Sequence, residues 1–155
     1  MSPDAGGIKR AEQFRNRLAE ALGRPVGAAF AEKYRSAGVV TGDALVGDVG
    51  GKAAIIIDDL ISAGTTIARA AQACRDHGAT RVFAAASHGL FAGAANPVLA
   101  ASTVEQIVVT DSVPPWRVTD VRLKAKLVQL STASLFAQAI RSIHEGGSIV
   151  ELLGA

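Results

Sequence analysis

The sequence predicts an α/β fold: three layers, built on a mainly parallel sheet with helices on both faces. Three observations predict it. Several short runs are apolar at successive positions instead of alternating, as in Ala53-Ala54-Ile55-Ile56-Ile57 and Val82-Phe83-Ala84-Ala85-Ala86, the pattern of strands covered on both faces. Between such runs lie stretches with apolar residues at three- and four-residue steps, and strand, helix, strand in that order gives a right-handed crossover. Polar residues gather where the strands should end, at Asp58-Asp59, His88-Gly89 and Thr110-Asp111-Ser112. In open α/β sheets that rim is where ligands bind.

The elements follow in order. Residues 8–22 place Ile8, Ala11, Phe14, Leu18 and Leu22 on one face of an amphipathic helix. Asp4 or Ser2 is placed to cap it, and Gly23 and Pro25 stop it. Residues 25–30 read as a strand of small side chains, and residues 31–38 as a polar loop. In that loop Lys33 and Arg35 are two apart, so an extended backbone turns both to one side. They suit a phosphate clamp, or an ordinary solvated loop. Residues 39–51, broken by glycines, read as a short hairpin leading into the strand at 53–57.

The next helix, 65–77, turns Ile67, Ala70, Ala71 and Cys74 inward and ends at Gly78. A strand at 81–87, a short helix at 96–101 and a strand at 104–109 follow. Pro114-Pro115 breaks the chain before a short strand at 127–130. The last helix, 132–144, carries Leu135, Phe136, Ala139, Ile140 and Ile143 on the side expected to be buried. The apolar tail at 149–153 is expected to pack on the core or on a neighbouring subunit.

A chain of 155 residues, 49% hydrophobic and 19% charged, is long enough for one domain with its own core, taken as residues 1–155. A net charge of +2, with cations spread along the chain and not interleaved with aromatics, argues against nucleic acid as a partner. No apolar run reaches the roughly 20 residues needed to span a bilayer. The first residues have no apolar signal-peptide core. With Cys74 as the single cysteine, the expectation is a cytoplasmic protein without an internal disulfide and without a membrane partner.

Chemistry concentrates in Asp58-Asp59-Leu60-Ile61-Ser62-Ala63-Gly64-Thr65-Thr66. Gly64 permits a left-handed turn, the hydroxyls of Ser62, Thr65 and Thr66 surround it, and a helix N-terminus follows. Together these make a phosphate cradle. Two carboxylates beside a cradle would repel a bare phosphate. They suit the hydroxyls of a sugar whose phosphate the turn holds. The plainer reading is a strand end followed by a helix cap.

This stretch resembles the phosphoribosyl-pyrophosphate (PRPP) motif shared by phosphoribosyltransferases and ribose-phosphate diphosphokinases. Four further segments are similar to the second family. They are Ser2-Pro3-Asp4-Ala5-Gly6-Gly7-Ile8-Lys9-Arg10-Ala11, Glu32-Lys33-Tyr34-Arg35, Ser87-His88-Gly89-Leu90-Phe91-Ala92-Gly93, and Val108-Val109-Thr110-Asp111-Ser112-Val113-Pro114. The helix from Ala137 to Gly146 resembles the family's last helix. The resemblance implies a phosphoribosyltransferase-like fold and transfer of diphosphate from ATP to ribose 5-phosphate to make PRPP.

By the same resemblance Asp4 is a ligand of magnesium (Mg2+), Lys33 the catalytic lysine and Arg35 the arginine on substrate phosphate. Asp58 and Asp59 take the ribose hydroxyls, and Ser62, Ala63, Gly64, Thr65 and Thr66 take the 5-phosphate. His88 is read as a strand-end histidine satisfied by backbone.

Three departures stand against this. The family has two similar halves and this chain matches the second. The first supplies a metal-binding histidine and much of an ATP site that lies between subunits, so turnover by this half alone is left open. The cradle Ser62-Ala63-Gly64-Thr65-Thr66 replaces the synthetases' usual Asp-Thr-Gly-Gly-Thr and is more similar to that of orotate phosphoribosyltransferase. Tyr34 stands where the loop's middle arginine is expected. The implied partners are ATP with ribose 5-phosphate or PRPP. A homo-oligomer, or assembly with an amino-terminal half or a full-length paralogue, is implied as well. A PRPP-consuming phosphoribosyltransferase and a non-catalytic sugar-phosphate-binding half are the other two readings. The resemblance also leads to a strand expected before Ser2-Pro3-Asp4.

Overall fold

The computed structural model describes residues 1–36 and 39–153, without the side chains of 32–44, 151 and 153. Its centre is a four-stranded parallel sheet in the order β3-β4-β5-β6, formed by β3 (Ala53–Ile61), β4 (Arg81–Gly89), β5 (Gln106–Thr110) and β6 (Leu127–Leu130). Parallel neighbours need crossovers. These are α2 (Thr65–Asp76), α3 (Ala95–Ala101) and the unanticipated α4 (Val121–Lys126), which Asp120 caps through the Arg122 amide. Ala54, Ile56, Val82, Ala84, Ile107 and Val109 project to one face of the sheet. There they meet Ile67, Ala70, Ala71 and Cys74 of α2, Leu99 of α3 and Leu123 of α4 in one apolar core. Helix α1 (Ile8–Leu22) lies against β3 on the other face, the side of Ile57 and Ala85.

Helix α1 keeps the expected bounds, but Ala11 is its buried residue, and Ile8, Phe14 and Leu22 stay 38–49% exposed. One helix cannot cover a face four strands wide. Residues 25–29 form no strand. The chain there runs beside Ser2, whose amide donates to Ala29 O and whose carbonyl accepts from Ala31 N. Met1 meanwhile bonds β3, its carbonyl accepting from Ile57 N and its amine donating to Ile55 O. The first two residues thus bridge the sheet edge and the following segment.

Residues 31–36 of the expected loop instead belong to the first arm of a separate antiparallel ribbon, β1 (Phe30–Ser36) with β2 (Val39–Val46), and the rest of that loop, residues 37 and 38, lies outside the described residues. The hairpin therefore lies earlier than the glycines at 42–51 suggested. A two-stranded ribbon is held by backbone pairing and leaves no long apolar run in the sequence.

Strands β3 and β4 run longer than the apolar signal, pairing as far as Ile61 with Gly89. The acidic pair accordingly sits within the end of β3 and not beyond it. Helix α5 (Ala133–His144) forms as expected but places nothing in the core. Leu135, Phe136, Ile140 and Ile143 are 51–65% exposed. The chain leaves edge strand β6 at Leu130, and α5 runs away from the sheet to meet the short 3-10 turn at Val150–Leu153. Among the described residues no helix is long and apolar enough to cross a membrane.

Candidate functional site

The carboxyl ends of β3, β4 and β5 share one rim. On it, Asp58 and residues 60–67 enclose a hollow of about 230 Å3. Strand β3 delivers Asp58 to one side, and the turn Ser62-Ala63-Gly64 brings α2 to the other. Gly64 is the N-cap of α2 at φ 77°, and no side chain caps the helix. Its first-turn amides and positive dipole end therefore face the hollow. Side-chain volume is excluded there: a β-carbon on Gly64 would lie 2.6 Å from Leu99 Cγ.

A support for this turn went unanticipated. The amides of Leu90 and Phe91 both donate to Ile61 O, and Ala92 N donates to Ser62 O. Phe91 is 1% exposed with a positive φ of 47°, an uncommon backbone for a large residue. The sequence segment 87–93 was recognised through resemblance, but nothing in its composition disclosed that it props the cradle.

The acidic pair is arranged unequally. The Asp58 carboxylate is mostly buried and accepts from Asp59 N at 2.9 Å, whereas the Asp59 side chain is 61% exposed. Burial, with the charges of Asp59 and Asp4 adding to it, pushes the Asp58 carboxyl above the usual carboxylate range. A hydrogen bond with Asp58, followed by the guanidinium of Arg10, holds Asp59 below it. Arg10 reaches both: Nη2 lies 2.7 Å from Asp59 Oδ2 and Nη1 3.4 Å from Asp58 Oδ1. Arg10 stands outside the apolar stripe of α1 expected from the sequence. Its position one turn from Gly7 brings it to the end of β3, a tertiary fact that periodicity does not carry.

Asp4 caps the 3-10 turn Ala5–Gly7, its Oδ1 accepting from Gly7 N at 3.1 Å. It is still near enough to Asp58 for its charge to help raise that carboxyl, after burial. Among the described residues no group of three or more His, Cys, Asp or Glu is arranged around a metal. That is compatible with magnesium, which takes one or two carboxylates and fills its shell with water and substrate phosphate. Lys33 and Arg35 lie on β1, facing Asp43 and Val40 in the ribbon, and the register shifts between them. The strict alternation expected to align them is interrupted there, and their side chains fall outside the described residues.

His88 bonds a side chain and not backbone: its Nδ1 is 2.8 Å from Ser112 Oγ, which is 2.7 Å from Thr110 Oγ1. Thr110 Oγ1 lies 2.6 Å from the Ser87 carbonyl. The ends of β4 and β5 are thus tied together in the polar rim. Beside it a more open cleft of about 380 Å3 runs over Ile57, Ala85 and Val108 under Arg10 and Phe14, and it shares Asp58 with the cradle.

The family described as phosphoribosyl synthetase-associated domain matches residues 37–154. The chain belongs to that family. It is 40% identical over 153 residues to the ribose-phosphate pyrophosphokinase of Caldanaerobacter subterraneus subsp. tengcongensis, covering 98% of this chain and 46% of the relative. The ribose-phosphate pyrophosphokinase of Aquifex aeolicus is 38% identical over 152 residues, again 98% and 46%. The crystal structure of phosphoribosylpyrophosphate synthetase from Mycobacterium smegmatis superposes with a TM-score of 0.78 at 36% identity, over 94% of this chain and 44% of that one. The fold is therefore the phosphoribosyltransferase type expected from the sequence. As a member of the synthetase-associated family, the chain spans less than half the length of these relatives.

Proposed function

We propose that this chain is the sugar-phosphate-binding half of a ribose-phosphate diphosphokinase, the transferase that moves diphosphate from ATP to ribose 5-phosphate. The observation that carries it is the hollow with a carboxylate at one side and an uncapped helix N-terminus at the other. A phosphorylated sugar meets both ends. Its hydroxyls donate to Asp58 and Asp59, while the backbone and hydroxyls of residues 62–66 hold its 5-phosphate. The names of the relatives support the same substrate class.

In this reading Lys33 and Arg35 arrive on the ribbon as catalytic cations against the diphosphate in transit. A transferring diphosphate gives the protein little covalent work, so positioning and charge neutralisation dominate. Asp4 is the residue that would hold magnesium, with the charge of Asp58 reinforcing the site. Magnesium held there would supply positive charge against the substrate's phosphates. ATP and ribose 5-phosphate are the proposed substrates, and the proposed setting is the cytoplasm.

The coverage of 46% of the relatives favours a second form of the reading. In it the chain binds ribose 5-phosphate and turns over when assembled with an amino-terminal half or a full-length paralogue, or as a homo-oligomer. AMP formation from ATP, ribose 5-phosphate and magnesium, with and without the sugar, separates the two. Sugar-dependent AMP that disappears in Lys33→Ala supports an enzyme in its own right. Binding of ribose 5-phosphate without AMP supports the assembled form. Nucleobase-dependent loss of PRPP would replace both with a phosphoribosyltransferase.

A further inference from the structure

We propose that Arg10 is the positioning residue that makes an acidic pair compatible with a phosphorylated sugar, by bridging Asp58 and Asp59 and cancelling part of their charge. The inference rests on the sugar-phosphate reading of the hollow. Two adjacent carboxylates at one side of a site that binds an anion pose an electrostatic problem, because Asp58 itself lines the hollow that the phosphate would enter. Helix dipole and hydroxyls attract the phosphate, and the pair repels it. Arg10 answers from a different element, contacting Asp59 at 2.7 Å and Asp58 at 3.4 Å.

The geometry is asymmetric in a useful way. The short contact goes to Asp59, the exposed member, and the long one to Asp58, the mostly buried member that lines the hollow. Arg10 is 36% exposed, so solvent shares the pairing and the bridge leaves the carboxylates able to accept from sugar hydroxyls.

Charge compensation has a signature that a merely structural role lacks, namely its dependence on salt. Between about 0.01 M and about 0.15 M potassium chloride the screening length falls from roughly 30 Å to roughly 8 Å. Ribose 5-phosphate binding would be measured calorimetrically for the wild type, Arg10→Gln and Arg10→Lys at both salts, with the fold checked by circular dichroism. At low salt Arg10→Gln should bind on the order of tenfold more weakly, the size of a unit-charge interaction in a partly wet site. That ratio should shrink to about threefold or less at the higher salt, and Arg10→Lys should stay within about threefold of wild type at both. A ratio for Arg10→Gln that is the same at both salts would overturn the inference and leave the sugar-phosphate reading standing. A folded wild type that does not bind ribose 5-phosphate at either salt overturns both.

Discussion

Leu99 of α3 fills the space that a side chain at Gly64 would need. A β-carbon built on Gly64 would lie 2.6 Å from Leu99 Cγ and within 2.9 Å of both its methyl carbons. The cradle turn and a fully buried leucine of the core are therefore one packing unit. Gly64→Ala adds a steric clash to a φ of 77° that a residue with a β-carbon resists. It should destabilise the protein by about 2–4 kcal/mol in urea melts. Leu99→Ala alone should cost about 2–5 kcal/mol. The double variant should lose at least about 1 kcal/mol less than the two singles summed, since the second change removes the clash of the first. Strict additivity would show that the strain at Gly64 is backbone alone.

The acidic pair predicts opposite stability effects for two chemically identical substitutions. Asp58 titrates above its unfolded value, chiefly because it is buried. A raised carboxyl costs stability above its folded pKa, and the cost vanishes once pH falls below the unfolded value near about 4. Asp58→Asn should thus raise the melting temperature at neutral pH, with the gain closing as pH approaches about 4. Asp59 is lowered by its hydrogen bond with Asp58 and by Arg10. Its contribution is present above the unfolded value and lost as pH falls through the folded one. Being 61% exposed, it should lose well under 1 kcal/mol in Asp59→Asn. Both variants should lose ribose 5-phosphate binding, so stability and binding move apart at Asp58.

What the sequence disclosed follows from which interactions leave a linear trace. Residues 53–57 and 82–86 are apolar throughout because α2 and α1 lie on opposite faces of the sheet, and that showed plainly. The turn and helix start from Ser62 to Thr66 showed too, since they are contiguous. The bridging role of Arg10 did not, because its partners lie 48 and 49 residues away and the resembling segment that contains it names no partner. Residues 31–36 of the ribbon were read as loop because their pairing is backbone to backbone and their side chains carry no alternating apolar pattern. Helix α5 was legible as a helix and misread in its packing, since periodicity reports a stripe and not what faces it.

Asp111 links the polar rim to that last helix. Its Oδ1 accepts from Thr132 N at 2.8 Å and from Thr132 Oγ1 at 2.6 Å, at the residue that precedes α5. These bonds hold its carboxyl below the ordinary range. The sign gives a contribution that is present above the unfolded value near about 4 and lost as pH falls through the lower folded value. Asp111→Ala should fray the first turn of α5, read as faster amide exchange at residues 133–136, while amides of β3 and β4 keep their protection. Acidification of the wild type should reproduce the fraying, and later than a cap with an unshifted carboxyl would.

Exposed and buried apolar residues should respond very differently to truncation. Leu123 of α4 is 0% exposed in the core, whereas Ile140 of α5 is 65% exposed with its stripe turned to solvent. Leu123→Ala should cost about 2–5 kcal/mol. Ile140→Ala at dilute protein should change the urea midpoint by less than about 0.5 kcal/mol, as expected for a surface site. A loss at Ile140 as large as that at Leu123 under dilute conditions would mean α5 packs on its own sheet after all. A loss that appears as protein concentration rises would carry a different meaning. It would show the stripe being covered by a second molecule, because association stabilises by mass action while intrachain packing is independent of concentration.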